Sequence, residues 1–210
     1  MLFARTHLLL GLALGMLAGF TSTKSLRADE PVHADGHDHA AMADKKITET
    51  LAKLSPEDRK AVEAQRFCPV MEYGRLGAMG APIKVMVEGK SVFVCCEGCS
   101  EDAVEGGKET LEKVAKLTAA SAVLAKLSRE DRTAAEAQKY CAIAEGSLLG
   151  SMGAPIKLVM EGKPVFLCCK GCVKKAEANP AATLAKVDTL KNAGLDEKHD
   201  ADHEHAERKK

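Results

Sequence analysis

The chain has 210 residues, with 30 basic and 30 acidic side chains and therefore no formal net charge. This balance removes the usual electrostatic argument for nucleic-acid binding, which requires a basic domain or a basic stripe, so we expect no nucleic-acid partner. Only 3% of the residues are aromatic and none is tryptophan, whereas eight are cysteine. We therefore expect a thin hydrophobic core that is supported by metal ions or by disulfides.

Residues 1–28 have the pattern of a secretory signal peptide. Arg5 precedes an apolar run from Leu8 to Phe20, and a polar stretch then leads to Ala28. As a helix the apolar run would measure about 20 Å, which is shorter than the roughly 30 Å hydrocarbon core of a bilayer. We predict cleavage after Ala28, a periplasmic or secreted protein, and no stable membrane span after signal removal.

Both ends of the mature chain, residues 29–45 and 192–210, are rich in histidine and charged residues and poor in large apolar ones. Such segments cannot bury enough apolar surface to order themselves, so we predict that both are disordered. Their histidines either keep the tails solvated or collect metal ions weakly. These candidate metal ligands are His33, His37, His39, His199, His203 and His205.

The chain contains an internal repeat that organises everything between the tails. Residues 51–117 match residues 124–190 at a constant offset of 73, with 37 of 67 positions identical. All eight cysteines recur at this offset. We predict two tandem copies of one small module, at residues 46–118 and 119–191.

Each module is predicted to be α+β, with a helix, a β-hairpin and following helices. In the first module Ser55 is a typical N-cap before a helix that ends near Arg66. A glycine-rich bend follows, and alternating apolar residues over 83–87 and 92–95 predict the hairpin, with a turn at Gly89-Lys90. Further helices are predicted over 101–105 and 110–117 in the first module, and over 173–178 and 181–190 in the second.

The cysteines carry the chemistry of each module. One follows the first helix and three more lie where the second strand meets the next helix, so thiolates distant in sequence can surround one metal ion. Consecutive strand side chains face opposite ways, so only one of Cys95 and Cys96 is expected to face the ion unless the backbone bends there. The predicted metal ligands are Cys68, Cys95, Cys96, Cys99, Cys141, Cys168, Cys169 and Cys172.

The strings FLCCKGCVKKAEANPAATLAKV in the second module and FCPVM in the first resemble YHS domains and the related TRASH domains. The resemblance implies small treble-clef-like modules that bind heavy metals. By position it implies that Cys68, Cys95 and Cys99 are metal ligands in the first copy. In the second copy the implied ligands are Cys141, Cys168 and Cys172. Where the family often has a further cysteine, this chain has Met71 in one module and Ala144 in the other. Met71 is therefore a candidate ligand, and Cys96 and Cys169 are candidate substitutes.

We find no phosphate-binding glycine motif, no serine nucleophile elbow, and no histidine between residues 40 and 198. The sequence therefore predicts a non-enzymatic, exported metal-binding protein for the handling, storage or delivery of copper or zinc. Soft thiolates favour Cu(I) or Zn(II) as the bound ion. The expected partners are metal ions, with a metal transporter or a recipient metalloprotein. Two alternatives stay open: cysteines paired in structural disulfides, and a periplasmic thiol-disulfide redox protein that uses the C-x-x-C spacing.

Overall fold

The computed structural model describes the backbone of residues 36–207 and the side chains of residues 42–193. The predicted signal peptide lies outside the described residues. The described chain is α+β, with seven helices and two separate two-stranded antiparallel sheets. In chain order the elements are α1 (Gly36–Leu51), α2 (Pro56–Gln65), β1 (Ile83–Val87), β2 (Lys90–Val94), α3 (Gly98–Glu105), α4 (Gly107–Leu124), α5 (Arg129–Gln138), β3 (Ile156–Met160), β4 (Lys163–Leu167), α6 (Lys170–Ala178) and α7 (Pro180–Glu207).

The first module follows the predicted order of helix, hairpin and helix. The side chain of Ser55 accepts a hydrogen bond from the backbone amide of Asp58 at the start of α2, as expected of an N-cap. Strands β1 and β2 pair with Ile83 opposite Val94. The turn between them lies at Glu88-Gly89, one residue before its predicted place, and both residues have the positive φ that tight hairpin turns require.

The second module repeats the first, element for element. Ser128 caps α5 as Ser55 caps α2, and β3 pairs with β4 in the register of the first hairpin. Each module has its own hydrophobic core, and each core includes that module's buried cysteines. The predicted α+β class is confirmed, and three cysteines of each copy lie in its hydrophobic core.

Helix α4 belongs to both modules. It packs against α2 in the first module, as α7 packs against α5 in the second. Its last turn buries Ala120 and Leu124, which correspond at the offset of 73 to the buried Ile47 and Leu51 of α1. The predicted boundary at residue 118 therefore falls inside a continuous helix, because α4 packs against α2 in the first module and contributes Leu124 to the core of the second.

The glycine-rich bend of each module packs against the helix that precedes the module. Gly150 has a φ of 92°, and a Cβ at this position would lie 2.7 Å from the carbonyl oxygen of Ala120 in α4. Gly77 occupies the equivalent place, where a Cβ would lie 3.1 Å from the side chain of Leu51 in α1. Both the backbone conformation and the close approach require glycine here.

Where the structure describes the two segments that we predict to be disordered, residues 29–45 and 192–210, their backbone is helical, and their disorder stays a prediction. Helix α1 begins at Gly36 and is held by the buried Ile47 and Leu51 and by an ion pair between Asp44 and Arg75. Helix α7 runs on to Glu207 beyond its packed first turns. Both tails extend helices that are already nucleated by packing, so adding each further residue to the helix requires little free energy. Within residues 36–207 no helix combines the length and the apolar character needed to cross a membrane.

Two cationic side chains hold the modules together, and both belong to helix C-cap residues with positive φ. Arg66, at the end of α2, pairs with Glu136 of the second module. Lys139, at the end of α5, places its ammonium 4.6 Å from the ring centre of Phe67 and 5.2 Å from that of Tyr73 in the first module. The first contact is an ion pair and the second is a cation–π interaction, and together they join the two modules through defined side chains.

Candidate metal centres

Three buried cysteines meet at one point in the first module. Cys68 follows α2, Cys95 follows β2, and Cys99 lies in the first turn of α3. Their sulfur atoms all lie within 4.8 Å of one another, and the Sγ atoms of Cys95 and Cys99 are 3.7 Å apart. A tetrahedral ion with bonds of about 2.3 Å separates its sulfur ligands by about 3.8 Å. The triad therefore has the dimensions of a thiolate metal site.

The loop after α2 aims Cys68 at the triad. The backbone amide of Cys68 donates to the carbonyl oxygen of Gly74 at 2.8 Å, which closes the loop. The backbone amide of Met71 lies 3.5 Å from the Sγ atom of Cys68, in position to donate to it. A backbone amide directed at the sulfur favours the thiolate, which is the form that binds metal ions.

A buried glutamine that the sequence patterns did not indicate joins this loop to the hairpin. The side-chain amide of Gln65 donates to the carbonyl oxygens of Phe67 and Phe93 and accepts from the backbone amide of Phe93. Phe67 precedes Cys68 and Phe93 lies two residues before Cys95, so one side chain fixes both cysteine-bearing segments. Gln138 makes the same three hydrogen bonds in the second module. The one signal in the sequence was its exact recurrence within the repeated EAQ.

Cys96 also faces the triad. Its Sγ atom lies 3.9 Å from that of Cys95 and 3.6 Å from that of Cys99. Strand β2 ends at Val94, so the alternation of a regular strand no longer applies to these residues and both sulfur atoms lie on one side. Unlike the three buried cysteines, Cys96 is half-buried and stands at the rim of the cluster.

The thioether of Met71 adds a fifth sulfur to the first site. Its Sδ atom lies 3.9 Å from the Sγ atom of Cys95. The side chain is half-buried and packs against the core of the module. At the equivalent place in the second module, Ala144 supplies only a methyl group. The two sites therefore differ by one soft sulfur donor.

The second module assembles the same thiol cluster. Its buried triad consists of Cys141, Cys168 and Cys172, whose sulfur atoms again lie within 4.8 Å of one another. The Sγ atoms of Cys168 and Cys172 are 3.7 Å apart, and the half-buried Cys169 lies 3.8 Å from Cys172. The structure thus brings together all eight predicted cysteines in two groups of four.

Each triad is built to carry negative charge on the cysteine of the first loop. Hydrogen bonds from the thiols of Cys95 and Cys99 lower the pKa of Cys68 far below its ordinary value, and these same bonds raise the pKa values of their donors. In the second module burial opposes the ionisation of Cys141, but backbone hydrogen bonds from Cys168 and Ala144 outweigh it and lower its pKa. A thiolate among neutral thiols is a suitable starting point for binding a cation.

All eight cysteines are free thiols in the structure. The Sγ atoms of Cys96 and Cys99, for example, are 3.6 Å apart, against about 2.05 Å in a disulfide. The side chains of the six candidate histidine ligands are not among those that the structure describes. His33 lies outside the described residues, and the side chains of the other five lie outside the range of 42–193. The two sites are formed by sulfur atoms.

No family model matches the chain, and no curated protein or solved structure is significantly similar to it. The resemblance to YHS and TRASH domains, and the treble-clef form that it implies, therefore stay predictions. The geometry of the two cysteine clusters is independent of that resemblance, since it follows from the fold of this chain alone.

Proposed function

We propose that this protein is an exported, non-enzymatic metal-binding protein that holds one soft metal ion in each repeat. The observation that carries the proposal is the convergence of three buried thiols within 4.8 Å in both modules. Buried cysteines repeated in the same geometry are more than packing requires, since a small apolar residue would fill the same space. The test is the metal content of the purified protein, which should be two ions per chain.

The donor atoms restrict which ions suit these sites. Thiolates and a thioether are soft ligands, which favour Cu(I) and Zn(II), whereas Ca²⁺ and Mg²⁺ prefer oxygen ligands. Each cluster offers four thiols, three buried and one half-buried. We therefore propose copper or zinc as the ion and storage or delivery as the role, with a metal transporter or a recipient metalloprotein as partner.

A thiol-disulfide redox protein is the second candidate. Cys96 and Cys99 form a C-x-x-C pair at the start of α3, and Cys96 is half-buried and so open to a substrate thiol. Counting free thiols in protein taken from its own compartment, with and without a chelator, separates the two functions. Thiols that become reactive only after chelation support metal binding, whereas cysteines found as disulfides support the redox function.

Exchange of one residue between the repeats should change metal preference. We expect Met71→Ala to weaken Cu(I) binding at one of the two sites and Ala144→Met to strengthen it at the other, by several-fold each. The reason is that a thioether 3.9 Å from the Cys95 sulfur is a good ligand for Cu(I) and a poor one for Zn(II). Competition titrations of the full chain with a Cu(I) chelator measure this, and parallel Zn(II) titrations serve as the control.

If Met71 only packs against the hairpin, Met71→Ala will lower the stability of the first module. The ratio of its Cu(I) affinity to its Zn(II) affinity will then stay unchanged. That result would remove Met71 from the ligand set and assign the fourth position to Cys96, and to Cys169 in the second module.

The histidines near the termini should add only weak capacity. Replacing all six candidates by alanine is expected to leave two tightly bound ions per chain, because the described sites are formed by sulfur atoms. Elemental analysis after dialysis against a weak chelator checks the tight stoichiometry. Substitution is preferable to deletion of residues 29–45, since Asp44 pairs with Arg75 and a truncation would disturb the fold. Loss of a tightly bound ion would show that histidine completes a site.

A further inference from the structure

The two candidate metal centres also differ at their exposed edges. In each cluster three cysteines are buried, and only Cys96 in the first module and Cys169 in the second are half-buried. A metal carrier that approaches from solvent therefore meets this sulfur atom first. The residues that surround it decide which carriers can approach.

The helices that follow these two cysteines carry opposite charges. The segment from 97 to 105 has four acidic residues and no basic one, for a net charge of −4, whereas the equivalent segment from 170 to 178 has three lysines and one glutamate, for a net charge of +2. At an offset of 73 the exchanged pairs are Glu97 and Lys170, Glu101 and Lys174, and Asp102 and Lys175. The two modules are otherwise close copies, so this reversal stands out within the repeat.

These charges face solvent. All six side chains of the exchanged pairs are exposed, and none forms an ion pair with another residue of the described chain. Lys170 directly follows Cys169, so their Cα atoms are about 3.8 Å apart. This is well inside the screening length of roughly 8 to 10 Å at physiological salt. Lys170 is thus attached within a screening length of Cys169, and Lys174 and Lys175 lie four and five residues further along the same helix, so their charges can act on an ion that approaches the exposed thiol.

We propose that Cys169 and the lysines of α6 form a port through which the second module exchanges metal with small, negatively charged metal complexes. The acidic surface of α3 repels the same complexes from the first module. This inference rests on the proposed metal-binding function and adds the class of carrier to it. Small anionic complexes are the expected form of a thiophilic ion that is carried by thiolate or carboxylate ligands.

The exchange is a substitution of ligands without any redox change. A bond from the metal to the sulfur of Cys169 forms as a bond from the metal to the carrier breaks. The proton of the Cys169 thiol passes to the released ligand or to water, and the metal keeps its oxidation state. The lysines of α6 act before this step, by raising the local concentration of the anionic complex.

The repeat supplies matched variants for the test. Lys170→Glu, Lys174→Glu and Lys175→Asp together give the second module the side chains of the first. Glu97→Lys, Glu101→Lys and Asp102→Lys together give the first module those of the second. All six positions are exposed, so both triple variants should fold, and none is a proposed metal ligand.

The probe is the anionic bicinchoninate complex of Cu(I), mixed with the full-length protein in a stopped-flow instrument at low salt. We expect one ion to enter the wild type about tenfold or more faster than the other, within the range of electrostatic steering. The variant with an acidic α6 should lose the fast phase of uptake. In the variant with a basic α3, both ions should enter in fast phases. In 0.5 M salt the uptake rates of the wild type and both variants should become similar, because the charges are screened.

The cationic acetonitrile complex of Cu(I) is the control, and with it the charge exchanges should act in the opposite direction. Uptake rates that are unchanged in both triple variants at low salt would overturn the port. Equal responses to the anionic and cationic donors would do the same. The final metal content tests the underlying function separately. If the wild type binds two ions per chain but the variants show unaltered rates, only the port is refuted. If the wild type takes up no metal, the proposed function is refuted and the port with it.

Discussion

Protein purified under reducing conditions and loaded with Cu(I) or Zn(II) will retain two ions per chain, and Cys95→Ser will reduce this number to one. The reason is that Cys95 lies 3.7 Å from Cys99 and within 4.8 Å of Cys68, so its loss opens one site and leaves the other complete. Elemental analysis against protein concentration measures the ratio. Cys168→Ser is the matched variant for the second site, and the double variant should retain no tightly bound ion.

Metal binding should also stabilise the fold strongly. At a free metal concentration about 1,000 times the dissociation constant, each site adds about 4 kcal/mol to the free energy of unfolding. For a chain of this size that corresponds to a rise in Tm of about 10 °C or more. The Cys95→Ser variant should show a smaller rise than the wild type. Metal-free protein with its cysteines in disulfides, after preparation with reductant and metal, would contradict the proposed function.

The second large effect is expected from Gln65→Ala, which should lower the free energy of unfolding of the metal-free protein by about 3 kcal/mol or more. This side chain makes three buried hydrogen bonds, and its removal leaves the amide of Phe93 and two carbonyl groups without partners. Chemical denaturation with and without metal measures the change. The substitution should weaken metal binding at the first site as well, because the loop with Cys68 and the hairpin with Cys95 are no longer joined.

Lys60→Ala, at an exposed position of the same helix, is the control and should change stability by less than about 0.5 kcal/mol. Gln138→Ala should have the same effect as Gln65→Ala, but on the second site. A loss of stability with both metal affinities intact would mean that the glutamine holds the fold without positioning the ligands. A loss of affinity at both sites would mean that the modules are coupled through α4.

Much of each module could be predicted from local patterns. Ser55 before Pro56 marks the start of α2, and the alternation from Ile83 to Val94 marks the hairpin, because caps and strand periodicity depend on residues that are close in sequence. The offset of 73 extended these predictions to the second copy without further information. The convergence of the cysteines was also predictable, since a hairpin must return the chain to the loop from which it left.

The rest depends on contacts between residues far apart in the chain. The orientation of Cys96, the distance from Met71 to Cys95, and the hydrogen bonds of Gln65 follow from how the loop, the hairpin and α3 pack together. Sequence patterns describe neighbours within a helix or a strand and contain no such distances, so they could name these side chains at most as candidates.

The sequence by itself determined the repeat, the secondary structure within each copy, and the grouping of eight cysteines into two sets of four. Only the tertiary structure decided where one module ends and the next begins, because α4 packs against α2 of the first module and contributes Leu124 to the core of the second. It also places helical backbone in the described part of each tail. Their composition predicts disorder, but α1 is anchored by Ile47 and Leu51, and packing at one end of a helix offsets the cost of nucleating it.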